Sequence, residues 1–208
     1  MIRLGADLRP RRRISCGLAC VGAGVVAVLA VSAFALSPRS QTEPASAEPP
    51  LAEIERTIER TYQHVRHLAP EAVAAGIERQ ADMVLFDVRE ASEFEVSRIP
   101  GAIRVDPGLP ARTFLDRHGA ALAGKTVVFY CSVGVRSSRL AGRVTDGLHG
   151  LGVGKIYNLS GGIFRWHNER KPLSNNHGST SHVHPFDDGW GRFVSRRDAL
   201  SYSPVAKP

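Results

Sequence analysis

The sequence predicts an α/β fold of three layers, with a central parallel sheet of about five strands flanked by helices. Three observations carry that prediction. Residues 83–86 (MVLF) and 126–130 (TVVFY) are continuous apolar runs without in/out alternation, as expected of strands buried on both faces of a parallel sheet. Between such runs, apolar residues recur at helical spacing, so strands and helices alternate. Each run also leads into a residue with chemistry, Asp87 and Cys131, at the carboxyl edge where open parallel sheets hold their sites.

In chain order, residues 51–64 place Leu51, Ile54, Ile58 and Tyr62 at helical spacing and predict an amphipathic lead-in helix. Residues 65–68 (VRHL) are a weak strand. Pro70 opens a helix to about Arg79, because a first-turn residue has no N–H bond to lose. The buried strand 83–86 follows, then a short strand over residues 102–105 after the Pro100-Gly101 turn. Residues 110–122 are helical and lead to the buried strand 126–130. Residues 136–148 form a helix with Leu140, Val144 and Leu148 on one face. The last strand is 156–159 (IYNL), and Gly161-Gly162 opens a short helix to about Asn168. The domain therefore spans residues 65–172. Residues 173–208 form a C-terminal extension whose Ser/Asn/Gly-rich start reads as a solvated loop. Its Phe186, Trp190 and Phe193 predict that it docks on the domain.

Apolar residues make up 43% of the 208 and charged residues 23%. Such usage excludes a wholly disordered chain, a collagen-like fibre and a multi-span membrane protein. The net charge of +7 is divided along the chain. Six Arg against three acids give +3 over residues 1–50, and 21 basic against 17 acidic residues give +4 over 51–208. A +4 body with interspersed signs is not a nucleic-acid stripe, and no nucleic-acid partner is expected. Of the three Cys, Cys16 and Cys20 lie in the leader. Residues 51–208 hold the single thiol Cys131 and cannot form an internal disulfide.

Residues 1–36 read as a basic segment followed by a membrane anchor or signal peptide. Arg9, Arg11, Arg12 and Arg13 precede 23 uncharged residues, 14–36. That run is long enough to cross a bilayer core, which takes about 20 helical residues. The arginines stay cytoplasmic and send the body outward. The expected location is the inner (cytoplasmic) membrane, single-pass, with the domain outside the cytoplasm. The alternative is a secreted or periplasmic protein, because Ala33-Phe34-Ala35 has the small-x-small form of a cleavage site. Residues 37–50, rich in Pro, Ser and Glu, read as a flexible linker.

The informative segment is Tyr130-Cys131-Ser132-Val133-Gly134-Val135-Arg136. A buried strand delivers a lone Cys into a short loop, and a helix starts at the loop's end. Gly134 permits the positive φ that closes such a loop. Successive backbone N–H groups of Ser132, Val133, Gly134, Val135 and Arg136 point inward as an anion nest, and the helix N-terminus adds partial positive charge. Both favour negative charge on sulfur, the reactive form of cysteine. Arg136 braces the loop or pairs with an anion.

The sequence here resembles the rhodanese (thiosulfate sulfurtransferase) family. Asp87-Val88-Arg89 with Glu93-Phe94 is similar to the family's D-V-R-x-x-x-E-F segment, and Ile99-Pro100-Gly101-Ala102-Ile103 to its I-P-G-A-I turn. Cys131 through Ser137 is similar to its C-x-x-G-x-R-S loop, and Leu159-Ser160-Gly161-Gly162 with Trp166 to its L-x-G-G-x-x-x-W ending. The resemblance implies ping-pong sulfur transfer. Cys131 takes the outer sulfur of a small donor anion (thiosulfate, persulfide or polysulfide) as a persulfide and passes it to a thiol or cyanide. It implies no metal and no organic cofactor. It also implies that Asp87 braces the site through Arg136 or Arg89, with Arg89 equally readable as a surface ion pair. Gly161, Gly162 and Trp166 read as structural.

Two positions depart from the family pattern. Arg98 stands where the family often has His. The loop residues Ser132, Val133 and Val135 are uncharged, where relatives that use thiosulfate often carry basic residues. Weak use of thiosulfate is therefore expected, with better use of a persulfide, and an Arg at position 132 or 133 is expected to improve thiosulfate use. Two other functions fit the same residues. One is a non-catalytic sulfur carrier or sensor. The other is a phosphatase, which needs five residues between Cys and Arg, where this loop has four. His177, His182, His184 and Asp187 match no compact metal-site spacing. No protein partner can be named.

Overall fold

Strands apolar on both faces need a helical layer on each side, and that requirement organises the computed structural model, which describes residues 51–206. The leader, its arginine cluster and the linker fall outside the described residues. No helix among the described residues is long and apolar enough to cross a membrane.

Helix α1 (Leu51–Thr61) leads in, followed by strand β1 (His67–Leu68) and helix α2 (Pro70–Glu78). Strand β2 (Met83–Asp87), helix α3 (Ala91–Val96) and strand β3 (Ile103–Arg104) come next. Helix α4 (Ala111–His118) runs into a 3-10 turn (Gly119–Leu122), so the expected helix to residue 122 tightens at Gly119. Strand β4 (Thr126–Tyr130), helix α5 (Val135–Gly150), strand β5 (Lys155–Leu159) and helix α6 (Gly162–Asn168) complete the alternation. The five strands pair in parallel in the order β1-β5-β4-β2-β3. This is the expected α/β architecture, a five-stranded parallel sheet between helical layers. The interior strands β2 and β4 carry the continuous apolar runs because both their faces are covered.

Two apolar layers flank the sheet. On one side Phe86, Phe114 and Phe129 pack with ring centroids 5.0–5.5 Å apart beside Leu140, Val144 and Leu148 of α5. On the other, Leu85, Val128, Tyr130 and Leu159 meet Ile163, Phe164 and Trp166 of α6 and Ile58 of α1. The expected apolar face of α1 thus points into the core, with Ile58 buried and Leu51, Ile54 and Tyr62 packed against it.

The start of the extension is not a solvated loop. Residues Leu173–Asn175 (β6) and Gly178–Thr180 (β7) form an antiparallel hairpin, with Leu173 and Asn175 buried. Ser174 bridges Arg98, whose guanidinium also donates to Asn176 Oδ1 at 2.7 Å. The departure at Arg98 is therefore a clamp that seats the hairpin. The extension then turns through α7 (Asp188–Gly191) and a 3-10 turn (Arg197–Ala199), burying Val183, Val194 and Ala199. Of the aromatics expected to dock it, Phe193 is buried in the core and Trp190 packs against it, while Phe186 stays exposed.

Candidate active site

The site sits where β4 gives way to α5. Residues 131–134 turn sharply, and Gly134 takes φ +116° before Val135 enters the helix. A side chain there is strained, and its Cβ would press within 3.0 Å of Asn158 Nδ2. The carbonyls of Cys131 and Ser132 face α6, accepting from the N–H groups of Ile163 (2.9 Å) and Phe164 (3.0 Å). That arrangement needs Gly162, because a Cβ there would collide with both carbonyl oxygens. With these carbonyls held away, the loop's interior is left to N–H groups, and Gly134 N–H donates to Cys131 Sγ at 3.2 Å. Ser137 Oγ donates to Asn158 Oδ1 at 2.6 Å and ties the first turn of α5 to β5.

Cys131 is the free cysteine of the described residues and lies at the base of a cavity of about 160 Å³. Ser132, Val133, Val135 and Arg136 line the cavity from the loop, and Phe186 and Trp190 line it from the extension. The expected loop residues therefore come together around the sulfur, with Gly134 beneath it. Its wall is apolar except for Ser132 and Arg136.

Arg136 does not stand free to meet an anion. Its Nη1 and Nη2 donate to Glu93 Oε2 and Oε1 at 2.7 and 2.8 Å, and Nη2 also donates to Ser132 Oγ at 2.9 Å. Glu93 Oε1 accepts from Ser132 Oγ at 2.9 Å, and Oε2 from the N–H of Glu90 at 3.0 Å. Burial, the largest influence on Glu93, pushes its carboxyl up. Arg136, Arg89 and the Glu90 N–H together outweigh burial and hold it below the usual carboxylate range. Burial also weighs against the charge on Arg136, but Glu93 and the nearby Cys131 sulfur raise its pKa further. Glu93 belongs to the D-V-R-x-x-x-E-F segment, yet sequence reasoning did not place it in the site. Its available signal was the Glu90/Glu93 spacing, which makes a reciprocal capping box for α3.

Asp87 braces the region through Arg89, one of its two expected partners, and only the reading of Arg89 as a surface ion pair is corrected. Asp87 accepts from Arg89 Nε at 2.8 Å and from Nη2 at 2.6 Å, not from Arg136. Both side chains are fully buried, so Arg89 is not a surface pair. Arg89 Nη2 also donates to the carbonyl of Ser97 at 2.6 Å. The pair braces the loop after β2 against the turn at residues 97–99 and does not line the cavity. Beside it, burial and then Asp87 raise the Tyr130 hydroxyl well above its usual range, and that hydroxyl accepts from the N–H of Ile99 at 3.2 Å.

Sequence reasoning also missed Phe186 and Trp190 as site residues, because only the folded path of the extension brings them to Cys131. Among the described residues no group of His, Cys, Asp and Glu is placed to hold a metal ion. His184 Nδ1 accepts from Phe186 N–H at 3.0 Å, and Asp187 Oδ1 caps α7 at the N–H of Trp190 (2.8 Å). Burial first, then Arg89 and Arg136, hold His184 below its ordinary pKa against the pull of Glu93. That shift favours the neutral ring, whose Nδ1 can accept.

Residues 69–169 match the family model described as Rhodanese-like domain. The tRNA uridine(34) hydroxylase of Bordetella avium is 33% identical over 90 residues, covering 42% of this chain and 36% of that protein. The protein of the same name from Rhodococcus erythropolis is 35% identical over 105 residues, covering 48% of this chain and 35% of that one. The chain thus spans about a third of the length of these curated relatives. Among solved structures, a thiosulfate sulfurtransferase from Pseudomonas aeruginosa is similar at 23% identity and a TM-score of 0.47, over 71% of this chain and 27% of that one. A Rhodopseudomonas palustris protein described as a possible tyrosine phosphatase is similar at 21% identity and a TM-score of 0.47, over 63% of this chain and 98% of that one.

Proposed function

We propose, from the match of residues 69–169 to the rhodanese-like domain, that this protein is a sulfurtransferase working through a persulfide on Cys131. The observation that carries the reading is Gly134 N–H donating to Cys131 Sγ at the floor of an open cavity. An amide aimed at sulfur stabilises the negative charge carried by the thiolate and, after transfer, by the persulfide. The Cys131 thiolate attacks the outer sulfur of the donor and forms a new S–S bond. The donor's own bond to that sulfur breaks, and its electron pair leaves with the donor remnant, sulfite in the case of thiosulfate. A thiol or cyanide then attacks the outer sulfur of the persulfide and restores the thiolate. The sulfur moves without an external oxidant or reductant.

We propose further that the domain works outside the cytoplasm, held by the apolar run at residues 14–36 or released by cleavage near Ala35. The support is the arginine cluster that precedes that run. Fractionation and N-terminal sequencing test it. Full-length chain in the membrane fraction supports the anchor, and a mature N-terminus at Leu36 supports cleavage. A full-length chain in the cytosol overturns both.

The test of sulfur transfer is Cys131→Ser. Intact mass after incubation with a sulfane-sulfur donor is expected to show one added sulfur on the wild type and none on the variant. Turnover with cyanide is expected to fall to background. Residual cyanide-dependent turnover in the variant removes Cys131 as the nucleophile. Loading without steady-state turnover favours the carrier over the enzyme.

A further inference from the structure

The two aromatic side chains over the sulfur come from outside residues 69–169, the part that matches the family. Their placement has a conformational cost. Phe186 has φ +70°, a region bulky residues avoid, and it remains 43% exposed, so core burial does not offset the strain. It is held there by its N–H donating to His184 Nδ1 at 3.0 Å and by the Arg136 guanidinium, 4.9 Å from its ring centroid. Trp190 is fixed beside it through the cap from Asp187 and by packing on Phe193 at 5.7 Å. Strain of this kind at the mouth of a site supports a functional role for the residue that carries it.

The charge at the mouth points the same way. Arg136 is the cation that lines the cavity, and Glu93 already neutralises it. Once Cys131 gives up its proton to attack, its thiolate makes the site negative. A dianion such as thiosulfate meets repulsion there. A singly charged donor with an apolar body meets Val133, Val135, Phe186 and Trp190. A cavity of about 160 Å³ accommodates one ring, since roughly 150 Å³ suffices for benzene.

We propose that Phe186 and Trp190 are specificity residues that select sulfane-sulfur donors with an apolar, singly charged body, such as alkyl and aryl persulfides, over thiosulfate. The proposal rests on sulfur transfer by Cys131 and names the donor class. In the transfer, the Cys131 thiolate bonds to the outer sulfur of R–S–S⁻. The S–S bond between the donor's inner and outer sulfurs breaks, its electron pair goes to the inner sulfur, and R–S⁻ leaves from the aromatic wall.

Two stable monoanions isolate the effect, benzenethiosulfonate and methanethiosulfonate. They present the same reacting sulfur and leave as sulfinates, but differ in apolar bulk. The measurement is kcat/KM for each with cyanide as acceptor, on the full chain, Phe186→Ala and Trp190→Ala. The wild type is expected to favour the phenyl donor by about tenfold or more through KM, the scale on which apolar pockets discriminate. Each Ala variant is expected to lose most of that ratio, and Phe186→Tyr to keep it. A partly unfolded sample lowers both numbers alike, so the ratio reports the wall alone. A wild-type ratio near one, or a ratio unmoved in both Ala variants, overturns the proposal. If Cys131 gains no sulfur from either donor by intact mass, the sulfurtransferase reading fails with it. Loading from both donors with a ratio near one removes only the aromatic wall.

Discussion

Two arginine–carboxylate pairs stand near the carboxyl edge of the sheet, and they are built differently. Asp87 and Arg89 are two residues apart and completely buried, meeting through Nε and one terminal nitrogen. Glu93 and Arg136 are 43 residues apart, meet through both terminal nitrogens, and leave Arg136 20% exposed on the cavity wall. The first pair closes a local turn, and one guanidinium nitrogen, Arg89 Nη1, has no hydrogen-bond partner among the described residues. The second joins the helix after β2 to the cysteine loop, so the geometry of the nucleophile depends on it. The same chemistry thus serves stability where water is absent and site geometry where substrate must enter.

The largest expected effect separates the two. Arg89→Met leaves the Asp87 carboxylate buried and unpaired, and breaking a buried pair from one side costs about 3–5 kcal/mol. For a chain of this size the melting temperature should fall on the order of 10 °C, while protein still folded at low temperature keeps loading sulfur. Arg136→Met should cost less stability, about 1–3 kcal/mol, but slow sulfur loading more than Arg89→Met does. Thermal melts and single-turnover loading on both variants check this. Equal melting shifts with equal losses of rate would erase the distinction.

The sequence made one pair readable and hid the other. Asp87 and Arg89 lie only two residues apart, across the turn that follows β2, and that short spacing was a usable signal for their pairing. Nothing local links residue 93 to residue 136; only the folding of β4 beside β2 does. The interior strands were legible because burial on both faces leaves a continuous apolar run. Helix α3 was not, because six residues (ASEFEV) offer no apolar period and its cap is a glutamate. The β6–β7 hairpin was hidden by polar composition, since its order comes from backbone pairing and from Arg98. The cysteine loop was legible in its residues, but not in its charge. Arg136 looked available to an anion, and Glu93 occupies it.

That neutralisation sharpens where a cation belongs. Ser132 Oγ is engaged by Glu93, and Val133 is buried in the core, so neither suits the Arg expected at 132 or 133 to help thiosulfate. Val135 lines the cavity and is half-buried. Val135→Arg should raise kcat/KM for thiosulfate by about tenfold, one charge-assisted contact of ~1.4 kcal/mol, without a like gain for methanethiosulfonate. An equal gain for both donors would mean that charge at the mouth does not set the choice.

The smallest expected effect concerns acid. Glu93 is held below the usual carboxylate range in the folded chain, with burial opposing and Arg136 leading the groups that outweigh it. In the unfolded chain it titrates near about 4.3. Between those two values the unfolded state binds the proton and the folded state does not, so stability rises with pH there. The contribution of Glu93 is complete above the unfolded value and disappears as pH falls through the lowered folded one. Other carboxylates lose stability in acid too, so the useful quantity is the difference from Glu93→Gln, which keeps an acceptor for Arg136 but cannot titrate. At pH 7 the wild type should be more stable by on the order of 1 kcal/mol, the scale of one hydrogen bond. In urea melts that gap should narrow steadily below about pH 4, from the wild-type side. A gap that stays constant down to pH 2.5, about two units below the unfolded value, would show that the pair's charge contributes nothing to folding. Glu93 would then act through shape alone, placing Arg136 and Ser132 beside the sulfur.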